Sequence, residues 1–261
     1  MRKKRFHADL PDPLQRAPIA IAHRGGALLP ANVGKENSLE AFANAIAIGY
    51  EYLETDLRTT RDGEVFAFHD ADLRRTFGRA VKFADLTSDD VRELRLAEGA
   101  RIASLDDLLV EFPDAVFNID FKDDAGVERG LEQIARRGAQ ERVIVASFSN
   151  QRLARVRSHA PHVLTSASQA EVARMRFGRR PPGLYRPIAL QIPERIRGLR
   201  VLTRGLLRRA HNHGIQVHVW TIDDPSAMHR LFDLGVDGII TDRPDVLKDV
   251  LIDRGQWPTA G

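Results

Sequence analysis

The feature that most constrains this chain is a rhythm. Short apolar runs alternate with helical patterns from residue 18 to residue 241. The runs are PIAIAH (18–23), YLETDL (52–57), EVFAFH (64–69), AVFNIDF (115–121), RVIVAS (142–147), VLTSA (163–167), IALQI (188–192), IQVHVW (215–220) and DGIIT (237–241). Amphipathic segments such as SLEAFANAIAIG (38–49), SLDDLLVEF (104–112) and NQRLARVRSHA (150–160) lie between them, with Ser38 and Ser104 as N-caps and Gly49 as a stop signal. A βαβ rhythm predicts a mostly parallel sheet. A length of 261 residues suits eight such units closed into a (β/α)8 TIM barrel. A doubly wound sheet is the alternative, but AHRGG at 22–26 lacks the G-x-G-x-x-G turn with which such sheets bind dinucleotides.

One segment breaks the rhythm. Residues 71–103 contain no strand-plus-helix unit and are expected to form a small insertion after the second strand region, within a barrel domain spanning 18–253. Residues 1–17 are a basic N-terminal tail, and RMRFGRRPPGLYR (174–186) is a loop dense in Arg and Pro. Both are most simply solvated charge, and contact with a membrane surface is only weakly supported.

Composition excludes several classes. With 43% hydrophobic residues and no apolar run near the ~18–20 residues of a spanning helix, the chain is expected to be globular, with a cytoplasmic location as the default. No apolar segment of ~7–15 residues follows the basic start, so a signal peptide is not expected. Cysteine is absent, which removes disulfides and thiol catalysis. The net charge of +3 comes without basic–aromatic interleaving or a recognition-helix motif, so no nucleic acid is expected. Nothing locates an oligomer interface.

Within this frame, YLETDLRTTRDGEVFAFHD (52–70) is anomalous. It reads as two strands joined by a turn, yet Glu54 and Asp56 share the face where a buried sheet wants apolar side chains. Asp62-Gly63 is a two-residue hairpin signal, and counting outward from it sets Asp56 opposite His69. In the later strand, Asn118, Asp120 and Lys122 share one face; the first strand ends in His23-Arg24-Gly25-Gly26. The carboxyl ends of barrel strands are where sites are built. Glu54, Asp56 and Asp120 could supply three carboxylates to one hard cation, Mg²⁺ or Ca²⁺. Such an ion, with Arg24 and Lys122, suits a phosphodiester anion, and two histidines can serve as base and acid across phosphorus.

These segments resemble the glycerophosphodiester phosphodiesterase family. IAHRGG, ENSLEAFANAIAIGYEYLETDLRTTRDGEVFAFHD, FNIDFK, VHVWTID and DGIITDRPD occur in family order from about residue 19 to residue 250. The resemblance implies a TIM barrel with an insertion after the second strand. It implies metal-dependent hydrolysis of small glycerophosphodiesters to sn-glycerol 3-phosphate and an alcohol. His23 and His69 are then the acid/base pair, Glu54, Asp56 and Asp120 the metal ligands, and Arg24 and Lys122 the phosphate contacts, with Glu36 near the site. Asp120 departs from the family, where Glu is common; the side chain is shorter by one methylene, ~1.5 Å, which leaves the metal preference open.

Trp220 and Phe148 are expected to line the pocket for the alcohol, with core packing as the alternative. The histidines of HNHG (211–214) are read as helix-end residues rather than a metal cluster. Two other functions remain open: a lipid-directed phosphodiesterase of the lysophospholipase D or sphingomyelinase D kind, and a non-catalytic phosphate- or polyol-binding barrel. An apolar groove beside the site would favour the lipid substrate.

Overall fold

A computed structural model describes residues 18–178 and 187–258 of the chain. The basic tail 1–17 and most of the Arg/Pro loop, residues 179–186, lie outside the described residues.

All nine apolar runs are strands: β1 (Ile19–His23), β2 (Tyr52–Thr59), β3 (Val65–Ala67), β4 (Val116–Phe121), β5 (Val143–Ala146), β6 (Leu164–Thr165), β7 (Ala189–Pro193), β10 (Gln216–Trp220) and β11 (Gly238–Thr241). A further hairpin, β8 (Arg195–Ile196) and β9 (Leu199–Arg200), has no strand or turn signal in the sequence. Eight strands pair in parallel in the order β6-β5-β4-β2-β1-β11-β10-β7. Ser166 bridges in parallel to Ala189, Ile188 N–H donates to Thr165 O (2.9 Å) and Ala167 N–H to Ala189 O (2.8 Å), which closes the ring. The fold is a (β/α)8 TIM barrel.

Alternation along the strands sorts the side chains. Leu53, Leu57, Phe117, Ile119, Val145, Val217 and Ile239 face the helices in the main core, whereas Ile19, Ile21, Tyr52, Val116, Ile144, Ala189 and Ile240 fill a second cluster. Ile19 and Ile21 belong to the same alternate set of β1 positions as His23. Tyr52 relates in the same way to Glu54 and Asp56, and Val116 to Asn118 and Asp120. Each polar group therefore stands on the carboxyl side of an apolar plug. Strand register levels them: His23 pairs with Glu54, Glu54 with Asn118, and Asp56 with Asp120.

The outer ring is α1 (Leu39–Ala47), α4 (Leu105–Glu111), α5 (Val127–Arg136), α6 (Asn150–His159), α7 (Gln169–Arg176), α8 (Arg204–Asn212), α9 (Pro225–Leu234) and α10 (Pro244–Asp253). Ser38 caps α1 by accepting from Ala41 N–H, and Ser104 forms a capping box with Asp107 on α4. Gly49 follows α1 with φ +97°. At the end of α8, His211 Nε2 meets Asp237 Oδ2 at 2.7 Å, and this hydrogen bond raises the imidazole pKa. Its partner is thus a loop carboxylate that also accepts from Val217 N–H.

Residues 68–102 build a separate cluster around Phe66, Phe68, Leu73, Phe83, Leu86, Val91, Leu94 and Ile102. Its helices, α2 (Arg74–Phe77) and α3 (Ser88–Glu93), are too short to show a period, which is why the sequence displayed none.

The hairpin register departs from expectation. Thr60 N–H donates to Glu64 O (2.9 Å) and Gly63 takes φ +85°, so the loop is Arg61-Asp62-Gly63, three residues rather than two. Asp62 is drawn away from the turn because its carboxylate accepts from Ser88 N–H and Oγ–H at 2.9 and 2.7 Å. The slip sets Thr59 against Val65 and brings Phe68 N–H to Asp56 O (2.9 Å), so His69 is not the cross-strand partner of Asp56. β3 ends at Ala67, and His69 reaches the site from beyond the strand, its carbonyl held by Arg58 Nε at 3.2 Å. Among the described residues, no helix is long and apolar enough to cross a membrane.

Candidate active site

A cavity of about 1030 Å³ opens at the carboxyl ends of the strands, and His23, Arg24, Glu54, Asp56, His69, Asp120 and Lys122 line it together. Trp220 and Phe148 line it as well, their rings in T-shaped contact at 5.7 Å, with Lys122 Nζ 5.6 Å from the Phe148 centroid. Glu36 does not line the cavity. Its carboxylate is engaged by Arg24 (3.2 Å) and Arg75 (2.5 and 3.0 Å) and so braces the site from behind.

The turn after β1 is what brings Arg24 into the barrel mouth. Arg24, Gly25 and Gly26 all have positive φ, +53°, +83° and +85°. Three consecutive left-handed residues explain the two glycines, and Arg24 tolerates the conformation because its N–H donates to Glu54 Oε2 (3.1 Å). Buried Asn32 pins the same turn through Nδ2–H donation to Gly25 O (2.9 Å) and Ala41 O (3.1 Å). A Cβ on Gly26 would stand 2.4 Å from Pro244 Cγ at the start of α10. Gly26→Ala is therefore expected to destabilise the protein by about 2–4 kcal/mol, the left-handed penalty plus overpacking. Denaturant unfolding at unchanged m-value measures it.

The electrostatics centre on Asp56. Lys122 Nζ bridges Asp56 Oδ1 (2.7 Å) and Asp120 Oδ2 (2.6 Å), and Arg24 Nε lies 3.0 Å from Asp56 Oδ2 without hydrogen-bond alignment. Burial raises the Asp56 pKa, but Lys122 and Arg24 outweigh it and hold the group below the carboxylate range. Asp120 goes the other way, since burial there exceeds the pull of Lys122. Glu54 is raised to about 7 by burial and then by the charge of Asp56, against the opposing effects of His23, Lys122 and Arg24. Burial depresses the His23 imidazolium, yet Glu54 and Asp242 lift it above its ordinary value. Deeper in the barrel, burial pushes His218 down to about 4, so it is neutral and hydrogen-bonds Gln216 at 3.0 Å.

Both lining histidines share a device that the sequence reading missed. His23 Nδ1 is 2.7 Å from Asp242 Oδ1, and His69 Nδ1 is 2.7 Å from Asp70 Oδ1. A carboxylate on Nδ1 fixes the proton there and leaves Nε2 as the acceptor nitrogen of the neutral ring. Arg75 in turn fixes Asp70, its Nε 2.5 Å from Oδ2, and these hydrogen bonds overcome burial to lower the Asp70 pKa. The signals were the HD pair at 69–70 and the aspartate after GIIT.

Three carboxylates and two imidazoles, each steadied from outside, suit anionic substrates and proton transfer. The glycerophosphoryl diester phosphodiesterase family profile matches residues 23–246. The chain belongs to this family. It is 40% identical over 253 residues to the "Probable glycerophosphodiester phosphodiesterase 2" of Mycobacterium tuberculosis, covering 93% of this chain and 94% of that one. It is 28% identical over 271 residues to a lysophospholipase D (GDPD1) of Mus musculus, covering 88% and 85%. Among solved structures, the Oleispira antarctica phosphodiesterase in complex with the product sn-glycerol-3-phosphate superposes with a TM-score of 0.76 at 18% identity, covering 90% of this chain and 97% of that one. At that identity the likeness speaks for the fold. Membership makes the chain a phosphoric diester hydrolase, a glycerophosphodiester phosphodiesterase, and the binding-only barrel considered from sequence is set aside.

Proposed function

We propose that this phosphodiesterase hydrolyses small glycerophosphodiesters, such as glycerophosphocholine or glycerophosphoethanolamine, to sn-glycerol 3-phosphate and an alcohol, with His23 and His69 as the proton-transfer pair. The observation that carries this reading is the doubled His–Asp arrangement in one cavity with Arg24 and Lys122. Arg24 and Lys122 draw the phosphate in and offset the charge that grows on its oxygens. One imidazole takes the proton of the attacking oxygen while the other gives a proton to the departing one. Water and the substrate's own free glycerol hydroxyl both fit the role of nucleophile.

A divalent cation belongs to the proposal. Asp120 Oδ1 is buried with no hydrogen-bond partner and burial raises that group, and Glu54 is raised to about 7, so these two carboxylates are under-compensated. Oxygen donors alone favour Mg²⁺ or Ca²⁺. As they stand, Lys122 occupies the gap between Asp56 and Asp120, and no group of three metal-ligating side chains is assembled among the described residues. Glu54, Asp56 and Asp120 would hold the ion once Lys122 yields one contact to it. When bound, the cation supplies further charge stabilisation of the phosphoryl group.

A second reading has its own support. Beyond the charged floor the cavity runs along Val172, Ile192, Pro193, Val201 and Trp220, an apolar extension that a small polar diester leaves unfilled. A lysophospholipid would fill it. Both readings are tested by following release from glycerophosphocholine and from lysophosphatidylcholine with Mg²⁺, with Ca²⁺ and with chelator. Metal-dependent release of glycerol 3-phosphate is the expected result. Full activity in chelator would remove the cation, and exclusive turnover of the lysolipid would replace the substrate.

A further inference from the structure

The β8–β9 hairpin, sequence RIRGLR at 195–200, breaks three local rules at once. Arg195 and Arg200 are direct cross-strand partners, an opposition of like charges that destabilises a hairpin. Ile196 and Leu199, the other pair, are 52% and 76% exposed. The turn residue Arg197 takes φ +47° before Gly198 at +83°, a left-handed position that favours Asn, Asp or Gly. One contact offsets them in part, Arg195 Nη1–H donating to Gly198 O at 3.1 Å; rules broken together to this extent mark a functional surface. The acidic residue before the hairpin, Glu194, is already held through both oxygens by Arg230 at 3.1 and 2.8 Å. Among the described residues no carboxylate oxygen lies within 4 Å of a guanidinium nitrogen of Arg195, Arg197 or Arg200, and Glu194 feels Arg195 and Arg200 only at longer range.

Ile196, Arg197, Leu199 and Arg200 line the catalytic cavity, as do Arg176 and Phe177, the latter 78% exposed, at the end of α7. Guanidinium groups interleaved with exposed Ile, Leu and Phe satisfy neither water nor a soluble anion alone. They match the boundary of an anionic bilayer, where phosphates take the guanidiniums and acyl chains the apolar tips. We propose that this patch seats on an anionic lipid surface and turns the mouth of the barrel toward it. The proposal goes beyond the hydrolytic reading, because it concerns where the enzyme works rather than what it cleaves.

The test is vesicle co-sedimentation of the full chain, with phosphatidylcholine vesicles compared with phosphatidylcholine–phosphatidylglycerol mixtures at low and high salt. Retention by the anionic vesicles alone, weakened by salt, is expected. Arg195→Gln/Arg197→Gln/Arg200→Gln lowers the partition by about a hundredfold, roughly fivefold per basic group at anionic lipid. Ile196→Ser/Leu199→Ser lowers it to an extent that salt does not alter. Arg197→Asn relieves the backbone and raises the melting temperature, yet still lowers the partition, a combination that a purely structural role would not produce. Absence of retention, or retention equal in the triple-Gln variant, would overturn the proposal. So would a dimer in solution that Ile196→Ser/Leu199→Ser dissolves, since the surface would then belong to a second copy of the chain.

Discussion

With glycerophosphocholine as substrate, His23→Ala and His69→Ala are each expected to lower kcat by about 10²–10⁴, the range that a positioned acid or base contributes. The double variant is expected to lose only a few-fold beyond the worse single one, because an acid and a base that serve one proton relay act as a unit. The Nδ1 contacts make a finer prediction. Asp242→Asn and Asp70→Asn keep size but withdraw the charge at 2.7 Å that fixes each ring, so each should fall between wild type and its alanine variant. KM is expected to change little, since the proposed phosphate contacts, Arg24 and Lys122, are left in place. Single-turnover release of glycerol 3-phosphate separates these effects. A His69→Ala enzyme that keeps wild-type kcat would end the two-histidine mechanism.

The strands, and the gathering of the candidate site residues in one cavity, were legible in the sequence for one physical reason. Barrel strands are buried on both faces, so a carboxylate at 54, 56 or 120 cannot be there for solvation and has to be explained by a partner. What stayed illegible depended on contacts between distant segments. The hairpin at 61–63 looked like a two-residue turn because Asp-Gly usually makes one; only Ser88, 26 residues on, reveals that Asp62 is otherwise employed. Asp242 lies 219 positions from His23, and no local pattern announces such a pairing. Glu36, placed near the phosphate by its position after β1, turned out to brace two arginines. The β8–β9 hairpin escaped notice because Arg-Gly is not a turn signal and its apolar residues face outward.

Lys122 is where structure and the proposed cation make competing claims on the same oxygens. Its ammonium lies 2.7 Å from Asp56 and 2.6 Å from Asp120, and both partners raise its pKa against the effect of burial. Lys122→Met leaves buried Asp120 without its ammonium and Asp56 with Arg24 alone as counter-charge. Breaking a buried pair in this way destabilises by about 3–5 kcal/mol, a fall in melting temperature on the order of 10 °C for a chain of this size. The sign with pH follows from Asp120, whose pKa is already raised and rises further without Lys122. A raised carboxylate stabilises the fold below its unfolded pKa and loses that contribution as pH rises, so the deficit is expected to be largest at neutral pH and to shrink on acidification. Mg²⁺ or Ca²⁺ should then raise the melting temperature of Lys122→Met more than that of the wild type, because the ion no longer has to displace an ammonium. Asp120→Asn/Lys122→Met, with one charge fewer, should recover stability without metal and respond to it weakly. If added cation shifts wild type and Lys122→Met equally, Asp56 and Asp120 are not the metal's ligands, and the lysine belongs to the phosphate site alone.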